Sequence, residues 1–316
     1  MRLVFMGTPE FAIPTLRELV EDDEYNPLAV ITQPDRRSGR GQRMTPPPIK
    51  KEALKLGLEV IQEEQINNLH LFDLLQRLEP QVMVVVAFGQ LLSKRLLQLP
   101  FYGCINLHAS LLPRYRGAAP LHRVIINGES ETGVTTMLMN EGMDTGDILL
   151  QDRVSIGEDE TVGELHDRLA LRGGELMLKT LLALKRGELQ PEPQEEERAS
   201  YAPPLDKEEC CLNWEQSASE LHNLIRGTNP WPGAYTYHRQ RMIKVWSSTL
   251  IEASGSDSLP GTVLGLEEEG LRVATGSGVL SLQEIQPAGK GRMSCRDYCC
   301  GYSLKAGDKL GRGEQG

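Results

Sequence analysis

The sequence predicts an α/β domain built on a parallel-rich sheet, followed by a small antiparallel β-barrel. Three observations predict it. Short apolar runs alternate with amphipathic stretches through the first half, as in a sheet with helices on both faces. One run, VMVVVAF at 82–88, is apolar throughout, as a parallel strand covered on both sides must be. Beyond a stretch rich in Pro and Glu, short strand-like runs recur at close spacing between Gly, Ser and Pro turns, the pattern of a small barrel.

The elements follow in order. RLVFMG at 2–7, LAVITQ at 28–33, VMVVVAF and CINLH at 104–108 read as strands, being short, rich in Val, Ile or Leu, and often bounded by Gly or polar residues. Between them, PEFAIPTLRELV, PIKKEALKLG and NNLHLFDLLQRLEP carry apolar residues near helical spacing. Gly7 and Pro9 mark a tight turn into a helix; without GxGxxG, no dinucleotide is assigned. VTTMLMNEGMDTGDILLQ gives strand, Gly-containing loop and strand, and a helix is expected from Thr161 to Lys185. GELQPEPQEEERASYAPPL has little apolar content and reads as a linker between domains. The expected organisation is a catalytic domain over 1–189, a linker over 190–205 and a second domain over 206–316. In SASELHNLIRGTNP, Ser217 and Glu220 form a capping box. The strands AYTYHR, MIKVWSSTLI, GTVLGLEE, GLRVAT and GVLSLQEIQ complete the barrel.

A chain of 316 residues with 40% apolar and 25% charged content is long enough for a sizeable core. Its net charge of −10 argues against indiscriminate nucleic-acid binding, which needs excess cations, but leaves room for a local basic patch. No apolar run approaches the roughly 18–20 residues that span a membrane. MRLVFMGTPEF shows no leader pattern, so a cytoplasmic protein is expected, with its six cysteines as reduced thiols. CRDYCC is a poor zinc motif because its ligands lack paired spacing, and no metal is implied.

The chemistry concentrates at the end of CINLH. Asn106 and His108 stand two residues apart and so share one face of a strand, at the carboxyl edge where α/β sheets bind ligands. An amide donor beside an imidazole can hold negative charge developing on oxygen. A carboxylate would complete a proton-handling set. Asp144, in the loop NEGMDTGD, is the candidate and Asp147 its rival; Asp and Gly there also suit a plain turn. Asn, His and Asp together suit acyl transfer to an amine. Ser110 lacks a GxSxG setting and is a poor nucleophile candidate.

INLHASLLPRYRGAAP and NEGMDTGDIL closely resemble the two signatures of the folate-dependent formyltransferases. The resemblance extends over nearly the whole chain through VFMGTPEFA, TQPDRRSGRGQRMTPPPIK, VMVVVAFGQLL, NPWPGAYT, IKVW and IQPAGKGRM. It implies a Rossmann-like formyltransferase domain followed by an OB-like domain. It also implies transfer of the formyl group of 10-formyltetrahydrofolate to the amino group of initiator methionyl-tRNA by a monomer. Carried over by position, the catalytic trio is Asn106, His108 and Asp144. The tetrahydrofolate contacts are Ser110, Leu111, Leu112 and Pro113, with Phe88, Gly89 and Leu91 lining the pterin pocket and the loop from Leu138 to Asp144 offering backbone groups.

The stretch 33–51 holds six cations, Arg36, Arg37, Arg40, Arg43, Lys50 and Lys51, against Asp35 alone. It is either a solvated loop or an arm that orders on phosphates. The resemblance selects the arm, places it at the tRNA acceptor stem and gives Arg40 the leading role. From Asp206 onward, 12 Lys and Arg face 14 Asp and Glu, so a tRNA-binding face there requires segregated cations, with Arg239, Arg241, Lys244, Lys290 and Arg292 as candidates. Trp231 and Trp246 are expected to pack the barrel core or the domain junction. A formyltransferase for sugar-nucleotide amines or a formyltetrahydrofolate hydrolase module would share the trio, but a small substrate does not require the arginine arm. A non-catalytic folate- or RNA-binding protein would not require the trio.

Overall fold

A computed structural model describes residues 1–38, 41–251 and 258–311. They form two units. The first comprises 1–120, 131–154 and 166–203, and the second 121–130, 155–165 and 204–316. Two stretches, 121–130 and 155–165, thus group with the C-terminal residues.

In the first unit, β1 (Arg2–Gly7), β2 (Asn26–Thr32), β5 (Val60–Gln62), β6 (Val82–Val86), β7 (Cys104–His108), β8 (Glu131–Leu138) and β9 (Asp147–Ser155) form one sheet. Its order is β5-β2-β1-β6-β7-β8-β9. Pairing is parallel from β5 through β7, and β8 runs antiparallel to β7. The strands VMVVV and CINLH are buried at every position; the unbroken apolar run of the first requires it, whereas the second buries the polar Asn106 and His108. Helices α1 (Ile13–Glu21), α2 (Pro48–Lys55), α3 (Leu69–Leu78), α4 (Lys94–Leu97) and most of α6 (Val162–Arg186) alternate with or follow the strands, while α5 (Pro120–Ile126) groups with the second unit. Asn68 caps α3 by accepting from the Leu71 amide at 2.8 Å, and Pro48 starts α2, where a missing N–H costs nothing. Leu71 and Leu75 of α3 pack with Val4, Met83 and Val85 in one core.

Within the arginine-rich stretch, β3 (Arg36–Ser38) and β4 (Arg43–Thr45) pair antiparallel. An arm read from its glycines as a loop thus has a paired stem, since Arg-Arg-Ser and Arg-Met-Thr lie at matching distance on either side of the turn.

In the second unit, β10 (Tyr235–His238), β11 (Arg241–Ile251), β12 (Val263–Glu267), β13 (Gly270–Ala274), β14 (Val279–Pro287) and β15 (Met293–Ser294) form a curled antiparallel sheet. Its order is β10-β11-β14-β13-β12, with β15 on β14. Residues 308–311 bridge its two edges: Gly311 N donates to Tyr237 O at 2.9 Å, and Val263 N donates to Asp308 O at 2.8 Å. The sheet packs around Leu221, Ile225, Val245, Leu280 and Tyr298, contributed in part by α7 (Ala218–Gly227) and α8 (Cys295–Tyr302). The capping box of Ser217 and Glu220 opens α7. CRDYCC lies in α8, where it turns Cys295 into the core and leaves Cys300 exposed. Trp246 is buried, but Trp231 is 69% exposed, which corrects the expectation of the barrel core for Trp231. No helix among the described residues is long and apolar enough to cross a membrane.

Candidate active site

The site is built on the carboxyl end of β7. Asn106 lies opposite Val85 of β6, and His108 lies opposite Thr135 of β8. Both side chains are buried at the edge where the parallel strands end. The Asn106 amide makes no side-chain hydrogen bond among the described residues, so its donors remain for a ligand.

His108 is held from both sides of its ring. Nε2 lies 2.9 Å from the Tyr115 carbonyl oxygen, and Nδ1 lies 3.7 Å from Asp144 Oδ2. The first is a hydrogen bond; the second is too long for one. Both neighbours are acceptors. A neutral imidazole can donate to only one of them, whereas an imidazolium can donate to both. Nδ1 therefore faces a carboxylate.

Asp144 is fixed independently of His108. Its Oδ2 accepts from the Gly117 amide at 2.8 Å, and its backbone sits at φ +54°, a conformation that Asp tolerates better than most residues. Its backbone oxygen accepts from Gln194 Nε2 at 2.9 Å. Asp147 is the first residue of β9. Of the two carboxylates, Asp144 is the one that faces His108.

Ser110 is fully buried, and its hydroxyl donates to the Arg114 carbonyl at 2.6 Å, so it stabilises the turn after β7. Thr135, which sequence reasoning missed, ties that turn down: its hydroxyl donates to Ser110 O at 2.6 Å and accepts from Leu112 N at 3.2 Å. Leu112 is buried, with Leu111 and Pro113 partly exposed. Gly133 lets β9 approach β8, since a Cβ there would lie 2.2 Å from the Asp152 backbone oxygen.

A cavity of about 580 Å³ opens where strand order reverses around β1. Thr8 follows β1, Gln33 follows β2, and Phe88, Gly89 and Gln90 follow β6. This is the switch point at which α/β sheets bind ligands. Thr8 Oγ1 and Gln90 Nε2 are buried without hydrogen-bond partners among the described residues, which suits a polar ligand. Phe88 and Gly89 line this cavity, whereas Leu91, Ser110, Leu111, Leu112 and Pro113 do not, and Leu91 is exposed. Nor do Asn106, His108 and Asp144 line it; the first two lie on β7, and Asp144 lies in the loop between β8 and β9. Thr8, Gln33 and Gln90 carried no signal beyond lying just past apolar runs.

Arg36, Arg37 and Arg43 are exposed on the β3–β4 hairpin, and Arg36 also lines the cavity. Arg40 lies outside the described residues. Lys50, counted with the basic arm, turns inward: its ammonium donates to Asp35 at 2.8 Å and to Gln62 at 2.6 Å. That contact holds the Asp35 carboxyl below its usual range. In the second unit, Arg292 lies over the Trp246 ring at 3.9 Å and Lys244 at 5.2 Å, a local basic cluster on β11 and beside β15.

A family model described as formyl transferase matches residues 1–181, and one described as formyl transferase, C-terminal domain, matches 204–303. The methionyl-tRNA formyltransferase of Acetivibrio thermocellus is 46% identical over 312 residues, covering 99% of this chain and all of the relative. The chain belongs to the methionyl-tRNA formyltransferase family. Solved structures at lower identity share the fold. WlaRD, a sugar 3N-formyl transferase studied with dTDP and 5-N-formyl-THF, has a TM-score of 0.65 at 20% identity, covering 92% of this chain and 99% of its own. HypX from Aquifex aeolicus, in complex with tetrahydrofolic acid, has a TM-score of 0.62 at 17% identity, covering 95% of this chain. This chain spans 47% of HypX. No group of three or more His, Cys, Asp or Glu residues able to hold a metal occurs among the described residues.

Proposed function

We propose that this enzyme transfers the formyl group of 10-formyltetrahydrofolate to the amino group of initiator methionyl-tRNA, with Asn106, His108 and Asp144 carrying the reaction. The single observation behind the assignment is the ring of His108, bracketed by the Tyr115 carbonyl and Asp144 next to the unengaged amide of Asn106.

The amine attacks the formyl carbon directly, so no enzyme nucleophile is needed. Asn106 donates to the formyl oxygen as negative charge gathers there. His108 accepts a proton at Nδ1 from the attacking nitrogen and returns one to the departing folate nitrogen. Asp144 orients the ring and stabilises its positive charge. The folate supplies the one-carbon group, and Phe88 and Gly89 offer an apolar wall to its pterin. Ser110 shapes the turn through Pro113 rather than touching the reacting atoms.

Arg36, Arg37, Arg40 and Arg43 meet phosphates of the acceptor arm. The cavity extends from Arg36 and Thr45 on the hairpin side to Phe88 and Gly89, a path for the charged 3′ end toward β7. The enzyme acts in the cytoplasm as a monomer, which a solution mass measurement checks.

The deciding experiment is formylation of charged initiator tRNA by wild type and Arg40→Ala. Activity with a loss of at least about tenfold in kcat/KM for tRNA in the variant supports both the reaction and the arm, since a phosphate contact is worth about 1–3 kcal/mol. An unaffected variant removes the arm's role. No transfer by folded wild type sinks the reaction.

A further inference from the structure

The segment read as an interdomain linker is bonded into the first unit beside Asp144. Glu192 exchanges backbone hydrogen bonds with Ile148 of β9 at 2.8 and 2.9 Å. Ser200 O accepts from Arg116 N at 2.8 Å, Ala202 N donates to Arg116 O at 2.7 Å, and Ser200 Oγ accepts from Tyr115 N at 2.9 Å. Residues 192–202 thus form a strap over the turn at 115–117. That turn supplies both backbone anchors of the catalytic pair, the Tyr115 carbonyl on His108 and the Gly117 amide on Asp144.

One side chain of the strap reaches Asp144 itself. Gln194 Nε2 donates to Asp144 O at 2.9 Å and to Gly146 O at 2.7 Å, while its Oε1 accepts from Arg116 Nε at 3.0 Å. Arg116 is fully buried and completes its fork on Glu196 at 2.9 and 3.0 Å. Three of the amide's hydrogen-bonding sites are therefore used, all on backbone or on a rigid guanidinium. A carboxylate in its place could not donate to two carbonyls. An amide is thus required between Arg116 and the loop that holds Asp144 at positive φ.

We propose that Gln194 is a positioning residue of the formyl-transfer reaction: it locks the Asp144 loop so that the carboxylate faces His108. This rests on the assignment of Asn106, His108 and Asp144 made above. Gln194 touches neither substrate nor reacting atoms in this role. It acts on kcat through the geometry of the pair.

The test compares wild type, Gln194→Glu, Gln194→Met and Asp144→Asn in single-turnover formylation of methionyl-tRNA, with KM for both substrates, the pH–rate profile and the melting temperature. Gln194→Glu keeps the shape and the bond from Arg116 but loses both donors; Gln194→Met keeps the volume alone. The expected result is a fall in kcat of about 10- to 100-fold, since catalytic groups misplaced by about 1 Å lose rate on that scale. KM should stay within about twofold, and the midpoint of the pH–rate profile should move. A purely structural role would lower the melting temperature and leave kcat and the pH profile of the folded protein in place, which would overturn the proposal. Failure of both variants to fold would assign Gln194 to folding and overturn it too. If Asp144→Asn keeps wild-type kcat, the trio assignment fails, a result distinct from unchanged kcat in the Gln194 variants beside an inactive Asp144→Asn.

Discussion

Asp144→Asn isolates the charge facing His108. The side chains keep their volume, and Asn tolerates the left-handed backbone at φ +54° as readily as Asp. The Asn oxygen can still accept from the Gly117 amide, 2.8 Å from Oδ2 in the wild type. What disappears is a negative charge 3.7 Å from His108 Nδ1. Between unit charges at that separation, Coulomb's law gives about 1 kcal/mol in bulk water and about 4.5 kcal/mol at an effective dielectric of about 20. The side chains are only 7% and 17% exposed, so the larger figure is the better guide. A loss of about 3–4 kcal/mol in stabilising the protonated ring lowers the rate by about 10²–10³-fold. The assay is single-turnover formylation with both substrates saturating, alongside a thermal melt. The melting temperature should stay within about 3 °C, because no buried hydrogen bond is lost. A rate within about tenfold of wild type, in a protein that melts normally, would refute the electrostatic role of Asp144.

Gly146→Ala should fail for a steric reason. A Cβ there would lie 1.9 Å from Leu138 O, a backbone atom, so the Asp144 loop must move; the expected cost is about 1–3 kcal/mol in stability and about 100-fold in kcat, and an unchanged rate and melt would show that the loop adapts. Acid should weaken the second unit before the ordinary carboxylate range is reached. Burial pushes the His222 imidazole below its usual range, with the Glu158 carbonyl partly opposing it, and burial does the same to His238. The folded unit keeps these rings neutral while the unfolded chain protonates them, so their contribution is present above about pH 6.5 and lost as pH falls through the folded values. All three tryptophans, Trp214, Trp231 and Trp246, belong to that unit. Urea unfolding followed by tryptophan fluorescence should therefore show a lower midpoint at about pH 5.5 than at about pH 7.5, with a smaller difference in His222→Gln; equal midpoints in wild type would contradict the burial argument.

Some features were legible in local sequence because local physics creates them. The unbroken apolar run of β6 reports a strand buried on both faces. The Ser217–Glu220 spacing reports a helix start, and the long amphipathic stretch found as Val162–Arg186 was expected within one residue at each end. The two-residue interval between Asn106 and His108 puts them on one face without reference to anything distant. Other features depend on partners far away along the chain. Asp144 and Asp147 look alike in sequence, and only the approach of Gly117 and His108 separates them. Arg116 reads as one more surface arginine until Glu196, 80 residues on, meets it in the interior. The stretch 190–205 has the composition of a linker because its contacts are backbone hydrogen bonds and a few polar side chains, which leave no hydrophobic pattern. Lys50 reads as a phosphate-binding cation until Gln62 and Asp35 close around it.

By itself, then, the sequence determined the two architectures, the strand that carries Asn106 and His108, and the chemistry those residue types permit, since each depends on periodicity and spacing within one element. Tertiary structure decided which carboxylate faces the histidine, how its ring is held, and that a segment with no apolar pattern secures both. Those choices rest on hydrogen bonds between residues dozens of positions apart, and such pairings exist only once the chain has folded.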